Sequence, residues 1–165
     1  MQHGGIGSHT RPNKGAKDEW LTPPEIIKRL GPFDLDPCAA VKQPWITAAT
    51  MYTIEDDGLA LPWHGLVWCN PPYGPKTWTW LAHLASHPSG GIALTFARTE
   101  TEGFYRQCWQ KATAMLFIKG RLYFHHADGT RASGNAGGPS VLIAYGQVAR
   151  KRLLDSGISG GIWPL

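Results

Sequence analysis

Apolar residues fall along this chain in short continuous runs, separated by stretches in which they recur at helical spacing. The runs Phe33–Asp36, Gly65–Cys69, Ile92–Phe96, Ala114–Ile118 and Val141–Tyr145 predict strands buried on both faces, and Ala48–Thr53 predicts one more. Thr22 reads as the N-cap of a helix, with Pro23 at its first position and Glu25 at its third; Ile26, Ile27 and Leu30 give the apolar face, and Gly31-Pro32 stops it. A second helix is predicted within Lys76–His87, where Trp78, Leu81, Ala82, Leu84 and Ala85 form a stripe ended by Pro88-Ser89-Gly90. Phe104–Ala112 predicts a third. Strands alternating with helices predict an α/β fold in which a parallel or mixed sheet is covered on both faces.

The chain's 165 residues suit one domain, too short for a catalytic domain plus a separate recognition domain. Residues 1–17 mix Gly, His, Ser, Thr, Asn and Lys without periodicity, which predicts a flexible arm carrying Arg11, Lys14 and Lys17 ahead of a single domain over 18–165. A net charge of +4 suits a polyanionic partner without requiring one. Three cysteines, Cys38, Cys69 and Cys108, are far apart in sequence and odd in number, arguing for a reducing compartment rather than a disulfide framework. With no apolar stretch long enough to cross a bilayer, and an N-terminus unlike a signal peptide, a cytoplasmic protein is expected, with no membrane association. The eight tryptophans are assigned mainly to packing, with Trp20 alone considered for a site.

Candidate chemistry concentrates at Asn70-Pro71-Pro72-Tyr73, directly after a predicted strand. The amino group of adenine is a poor nucleophile because its lone pair is delocalised into the ring. Two hydrogen-bond acceptors aimed at the amine would return that density to nitrogen. The Asn70 side-chain carbonyl and the Pro71 backbone carbonyl can serve, held by the fixed torsions of consecutive prolines. Tyr73 offers a face for a base flipped out of a duplex. The same tetrapeptide is also good turn chemistry. Its place at the carboxyl end of a strand, where open α/β sheets bind ligands, favours a site.

The stretch Cys38–His64 is too short for two further complete βα units, so the sheet is expected to be abbreviated. Asp57, about twenty residues beyond Asp36, is the preferred acidic contact for a cofactor ribose, with a charged turn as the plain alternative. Between the last two predicted strands, Leu122–Pro139 forms a polar loop suited to contacting DNA. Arg121 and Arg131 are candidate phosphate or base contacts; Arg98 is either a third or a partner for Glu100 or Glu102. His125, His126 and Asp128 have no partner cluster elsewhere, and no metal site is expected. Arg150-Lys151-Arg152 is a short basic run that fits a solvated helix surface.

Four blocks together resemble the phage-type DNA N-6-adenine methyltransferases, small Dam-like enzymes of phages and prophages. They are Asp18–Glu25, Phe33–Ala40, Glu55–Gly74, and a distal set comprising Ala97–Thr101, Phe104, Lys119–Phe124 and Pro139-Ser140. The resemblance implies a compact Rossmann-like class I methyltransferase fold, S-adenosylmethionine as cofactor and duplex DNA as partner, with no obligatory protein partner. It implies that Asn70, Pro71, Pro72 and Tyr73 form the catalytic motif and that Asp36-Pro37 begins the cofactor motif, with Trp20, Thr22 and Pro23 contributing to the cofactor site. After Asp36-Pro37 related enzymes continue with a glycine-rich turn, where this chain has Cys38-Ala39-Ala40. The resemblance thus implies direct methyl transfer to adenine N6 in DNA, in the host cytoplasm for a phage-encoded enzyme. The motif is also compatible with methylation of a protein glutamine or an RNA amino group, or with a catalytically idle DNA-binding module.

Overall fold

The computed structural model describes residues 19–165, and the arm expected over 1–17 lies outside the described residues. The elements in chain order are α1 (Pro24–Leu30), β1 (Leu35–Asp36), β2 (Thr50–Met51), β3 (Val67–Cys69), α2 (Thr77–Ser86), β4 (Gly91–Phe96), α3 (Glu102–Phe104) continuing into a π-helical turn at Tyr105–Trp109, β5 (Ala114–Ile118), β6 (Ser140–Tyr145), α4 (Gln147–Asp155) and β7 (Gly160–Pro164). They build a mixed α/β structure on one seven-stranded sheet in the order β2-β1-β3-β4-β6-β5-β7. Strands β1 to β4 pair in parallel, β6 runs antiparallel between β4 and β5, and β7 runs antiparallel on the outer edge of β5.

Period-two alternation divides the core between the two faces. Ile92 and Leu94 of β4 join Leu142 and Ala144 of β6 beneath α1 and α4, against Ile27, Leu30, Ala149 and Leu153. The intervening Ala93, Val141, Ile143 and Tyr145 pack on the other face against Trp80, Leu81, Leu84 and Phe104 of α2 and α3. Both faces of the central strands are therefore dry, which is why they read as continuous apolar runs rather than as alternating ones.

Several boundaries differ from the sequence expectation. Helix α1 starts one residue later than expected, with Pro23 at the cap and no side-chain cap bond, so Thr22 is not the N-cap. The strands expected over Phe33–Asp36 and Ala48–Thr53 shrink to two residues each. The helix expected over Phe104–Ala112 becomes the α3 turn plus the π segment. The sheet, expected to be abbreviated, carries seven strands, and the stretch between β1 and β3 holds one two-residue strand and no helix. The Arg150-Lys151-Arg152 run is not a free basic surface: Arg150 Nε donates to the Thr113 carbonyl at 3.2 Å, Arg152 to the Leu30 and Pro32 carbonyls, and Lys151 pairs with Asp155. Among the described residues no helix is long and apolar enough to cross a membrane.

The topology decides where a site can lie. From β1 the chain moves outward to β2 and then returns to β3 on the opposite side, so the strand order reverses between β1 and β3. Loops diverge at such a point and leave a crevice at the carboxyl ends of the strands. Because β4 and β5 run in the same direction, the long β5–β6 connection over 119–139 emerges at that same edge.

Candidate active site

The crevice at the reversal holds a cavity of about 590 Å³. Asp36 and Pro37 reach it from the end of β1, and Asn70, Pro71, Pro72 and Tyr73 from the end of β3. Trp20 and Thr22 border it from the N-terminal side, and Asp57 from the loop after β2. Pro23 does not line the cavity; it opens α1 instead. Arg98, Arg121 and Arg131 do not line it either. Residues unmarked in the sequence also contribute, notably Gly58, Lys76, Ile54 and two further tryptophans, Trp68 and Trp80.

Asn70 is held by its amide nitrogen, which donates to the Thr22 hydroxyl at 3.2 Å and to the Trp20 carbonyl at 3.4 Å. Its Oδ1 accepts no hydrogen bond among the described residues. The turn behind it is fixed by the buried Thr77, whose hydroxyl donates to the Pro72 carbonyl at 2.7 Å, while the Pro71 carbonyl has no donor among the described residues. Tyr73 is partly exposed, and one ring face is covered by Phe96, stacked at 4.4 Å between centroids and 14° between planes. Phe96 carries no signal as a site residue in the sequence because it reads as the end of a core strand.

Asp36 is buried, with its carboxylate accepting from the Cys38 N–H at 3.1 Å and from the Thr47 hydroxyl. Burial pushes its carboxyl up from 3.8 to about 6, with the Thr47 and Cys38 hydrogen bonds offsetting part of the rise. A carboxyl raised in the folded state binds its proton more tightly there than in the unfolded chain. Stability therefore falls as pH rises from 3.8 to about 6 and stays lower above it. Asparagine can keep both bonds, accepting from Cys38 and donating to Thr47. Asp36→Asn is expected to unfold at a higher temperature than wild type at pH 8 and at the same temperature near pH 4. The difference should be on the order of 3 kcal/mol, from a shift of about two units at ~1.4 kcal/mol each. Parallel melting curves at both pH values would not support a charged buried carboxylate.

Cys38 also lines the cavity, and its Sγ lies 3.8 Å from the buried Cys69 Sγ, a thiol contact that their separation in sequence concealed. All three cysteines are free, and the neighbouring Cys69 thiol together with burial holds the Cys38 thiol well above its usual range. A missing glycine-rich turn after Asp36-Pro37 has a counterpart across the crevice. A Cβ on Gly58 would lie 1.9 Å from the Pro37 carbonyl oxygen, so only glycine allows the two loops to approach. Next to it, Asp57 adopts φ 53°, and its carboxylate makes no hydrogen bond among the described residues. Asp56, by contrast, is turned back onto Thr53, accepting from both its N–H and its hydroxyl.

The polar loop after β5 is less free than its composition implies. His125 pairs with Leu21 and with Arg131 through backbone bridges, its ring meets Trp45 edge-on at 5.2 Å, and the His126 ring lies 5.0 Å from that of Trp20. Arg131 stands 4.0 Å over the Tyr123 ring, Arg121 donates to the Ala136 carbonyl at 3.4 Å, and Arg98 is exposed just beyond β4. Glu102 pairs with Arg106 rather than with Arg98. All three arginines sit on the cavity's edge of the sheet, and none pairs with an acid among the described residues.

A search of curated proteins finds no match to this chain, and a search of solved structures finds none. A family model described as DNA N-6-adenine-methyltransferase (Dam) matches residues 7–157, most of the chain and every element that lines the cavity. With its Asp36-Pro37 and Asn70–Tyr73 motifs meeting in one crevice, the chain belongs to the DNA N-6-adenine-methyltransferase (Dam) family.

Proposed function

We propose that this protein transfers a methyl group from S-adenosylmethionine to N6 of an adenine flipped out of duplex DNA, using a single Rossmann-like methyltransferase domain over 18–165. The observation that carries the reading is the anchored amide of Asn70: its nitrogen is occupied by Thr22 and Trp20, while Oδ1 and the Pro71 carbonyl remain without donors. Those two acceptors would draw the amine hydrogens of adenine toward them and restore nucleophilic density to the nitrogen.

The cavity suits the cofactor in size, since small-molecule sites run from roughly 300 to 1,000 Å³. Its walls combine apolar surface at Ile54, Leu59 and Trp80 with the Asp57 carboxylate, an acceptor suited to the hydroxyls of an adenosine's ribose. Asp57 would hold the ribose hydroxyls, and Trp20 and the Pro37–Cys38 backbone would border the methionine end. S-adenosylmethionine supplies, when bound, a methyl group on a sulfonium leaving group, so no covalent enzyme intermediate is required. The protein's share is orientation and electrostatics. Asp36 supports that site indirectly, by tying the Cys38 turn to Thr47.

Because Phe96 covers one face of Tyr73, the flipped base would stack on the other. Tyr73→Ala is expected to lower kcat/KM for DNA about 5- to 150-fold, from a stacking contribution of roughly 1–3 kcal/mol. Tyr73→Phe should keep activity within about threefold, since the ring is retained. A Phe variant as weak as the Ala variant would assign the role to the hydroxyl instead. Arg98, Arg121 and Arg131, all on the cavity's edge, would contact phosphates, with residues 122–139 as the recognition loop.

The test of the whole reading is incubation of the purified protein with unmethylated duplex DNA and methyl-labelled S-adenosylmethionine, followed by nucleoside analysis. Label in N6-methyldeoxyadenosine is the expected outcome. In parallel incubations with RNA and with protein, label there but not in DNA would move the acceptor, and cofactor binding without product from any acceptor would make the chain an idle module.

A further inference from the structure

We propose that Thr22 is a positioning residue for the methyl-transfer step, one that holds the Asn70 side chain in place with its oxygen facing the substrate. The inference rests on Asn70 acting as an acceptor and adds what makes it one. An asparagine amide is nearly symmetric in shape, and a half-turn exchanges its oxygen for its nitrogen at little steric cost. In the exchanged orientation Asn70 would present two N–H donors to an amine that needs an acceptor, and its polarising effect would be lost.

One group selects the orientation and a second holds it. The Trp20 carbonyl can only accept, so an amide oxygen turned toward it at 3.4 Å would meet lone pairs. The Thr22 hydroxyl can donate as well as accept and so does not itself discriminate, but by accepting the remaining N–H at 3.2 Å it holds the amide in the orientation that the Trp20 carbonyl selects. Thr22 is 4% exposed, and its hydroxyl is not spent on α1, which begins at Pro24 without a side-chain cap. The segment that carries both acceptors is itself clamped. Leu21 between them is buried, its N–H donating to the His125 carbonyl at 2.8 Å and its carbonyl accepting from the His125 N–H at 3.0 Å. The amide is thus held from a backbone that cannot shift without breaking two hydrogen bonds.

Thr22→Val, which keeps the shape and removes the hydroxyl, should lower kcat about fivefold to tenfold while KM for DNA and the Kd for S-adenosylmethionine stay within about twofold. Thr22→Ser should restore kcat to within about twofold of wild type. Asn70→Ala is measured alongside as the reference for the reading itself. A wild-type kcat in Thr22→Val, a weakened cofactor Kd in proportion to its loss of rate, or a Ser variant as slow as the Val variant would each overturn the proposal. Should Thr22→Val not fold, as judged by its melting curve, Thr22→Ala carries the same readout with less volume to place. If Asn70→Ala turns over normally, the acceptor reading fails; if Asn70→Ala is inactive and Thr22→Val is unaffected, only the positioning role fails.

Discussion

Replacing Asn70 by alanine is expected to lower kcat by about 10²–10³-fold, the usual cost of removing one preorganised dipole from a reacting centre. Cofactor affinity should change little, because the lost acceptor faces the amine and its effect grows as positive charge develops on nitrogen during transfer. The fold should survive as well: Asn70 belongs to neither core cluster, and the turn keeps its Thr77–Pro72 bond. The measurement is a single-turnover rate with saturating duplex DNA, set beside a calorimetric Kd for S-adenosylmethionine. A variant with wild-type turnover would remove the chemical argument for the whole Asn70–Tyr73 turn. One that loses cofactor affinity in step with rate would place Asn70 in the cofactor site instead.

Gly58→Ala should have the opposite signature, with cofactor affinity falling more than tenfold and stability by about 1–3 kcal/mol, the usual range for overpacking. The added Cβ meets the Pro37 carbonyl oxygen at 1.9 Å and the carbonyl carbon at 2.9 Å. Both are backbone atoms of a residue with fixed φ, so no rotamer change relieves the clash. Relief requires moving the Asp36–Cys38 turn, which is anchored by the Asp36 hydrogen bonds, or the Gly58 carbonyl, which accepts from Trp63 Nε1 at 2.7 Å. Gly134→Ala is the control, since a Cβ there meets nothing within 4 Å, and it should leave both quantities unchanged. Wild-type cofactor affinity in a destabilised Gly58→Ala protein would show that the turn is structural and lies outside the cofactor site.

The parts of this fold legible in the sequence are those whose stability is local or whose burial is uniform. Helix α2 and strands β4, β5 and β6 are long enough for apolar spacing to mark them. Strands β1 and β2 lie within runs the sequence marks, but their limits of two residues each are set by pairing with each other across a gap in sequence, which apolar spacing does not register. Strand β7 has no alternation to read, because all five of its residues are exposed and it is recruited by the open edge of β5. Helix α4 shows in the sequence only as the basic run Arg150-Lys151-Arg152, because only Ala149 and Leu153 are buried on it.

The candidate site divides the same way. The positions of Asp36 and Asn70 follow from each ending a strand, which the sequence pattern exposes. Thr22-Pro23-Pro24-Glu25 matches a capping box, yet the Thr22 hydroxyl is claimed by Asn70, just past the end of distant β3. A long-range partner won over a local one, and no local rule could register it. The glycine that approaches Pro37 is equally invisible to a local rule, because Gly58 meets it from the facing loop.

If the 119–139 connection is the recognition loop proposed above, its clamped base bears on any attempt to redirect the protein to a different recognition sequence. Phe124, Ala132 and Ala136 are buried, and a Cβ on Gly129, at φ 88°, would lie 2.7 Å from the Pro44 ring. A transplanted loop would therefore have to retain these anchors along with the His125 backbone that grips Leu21. Freedom to vary is confined to side chains that point away from them: His126 to Asp128, Thr130, Arg131 and Ser133 to Asn135. Wholesale exchange of the segment would loosen the strap that orients Asn70, so a graft could acquire new base contacts and still methylate poorly. On that proposal, randomising only the exposed positions would separate the choice of target from the rate of the reaction.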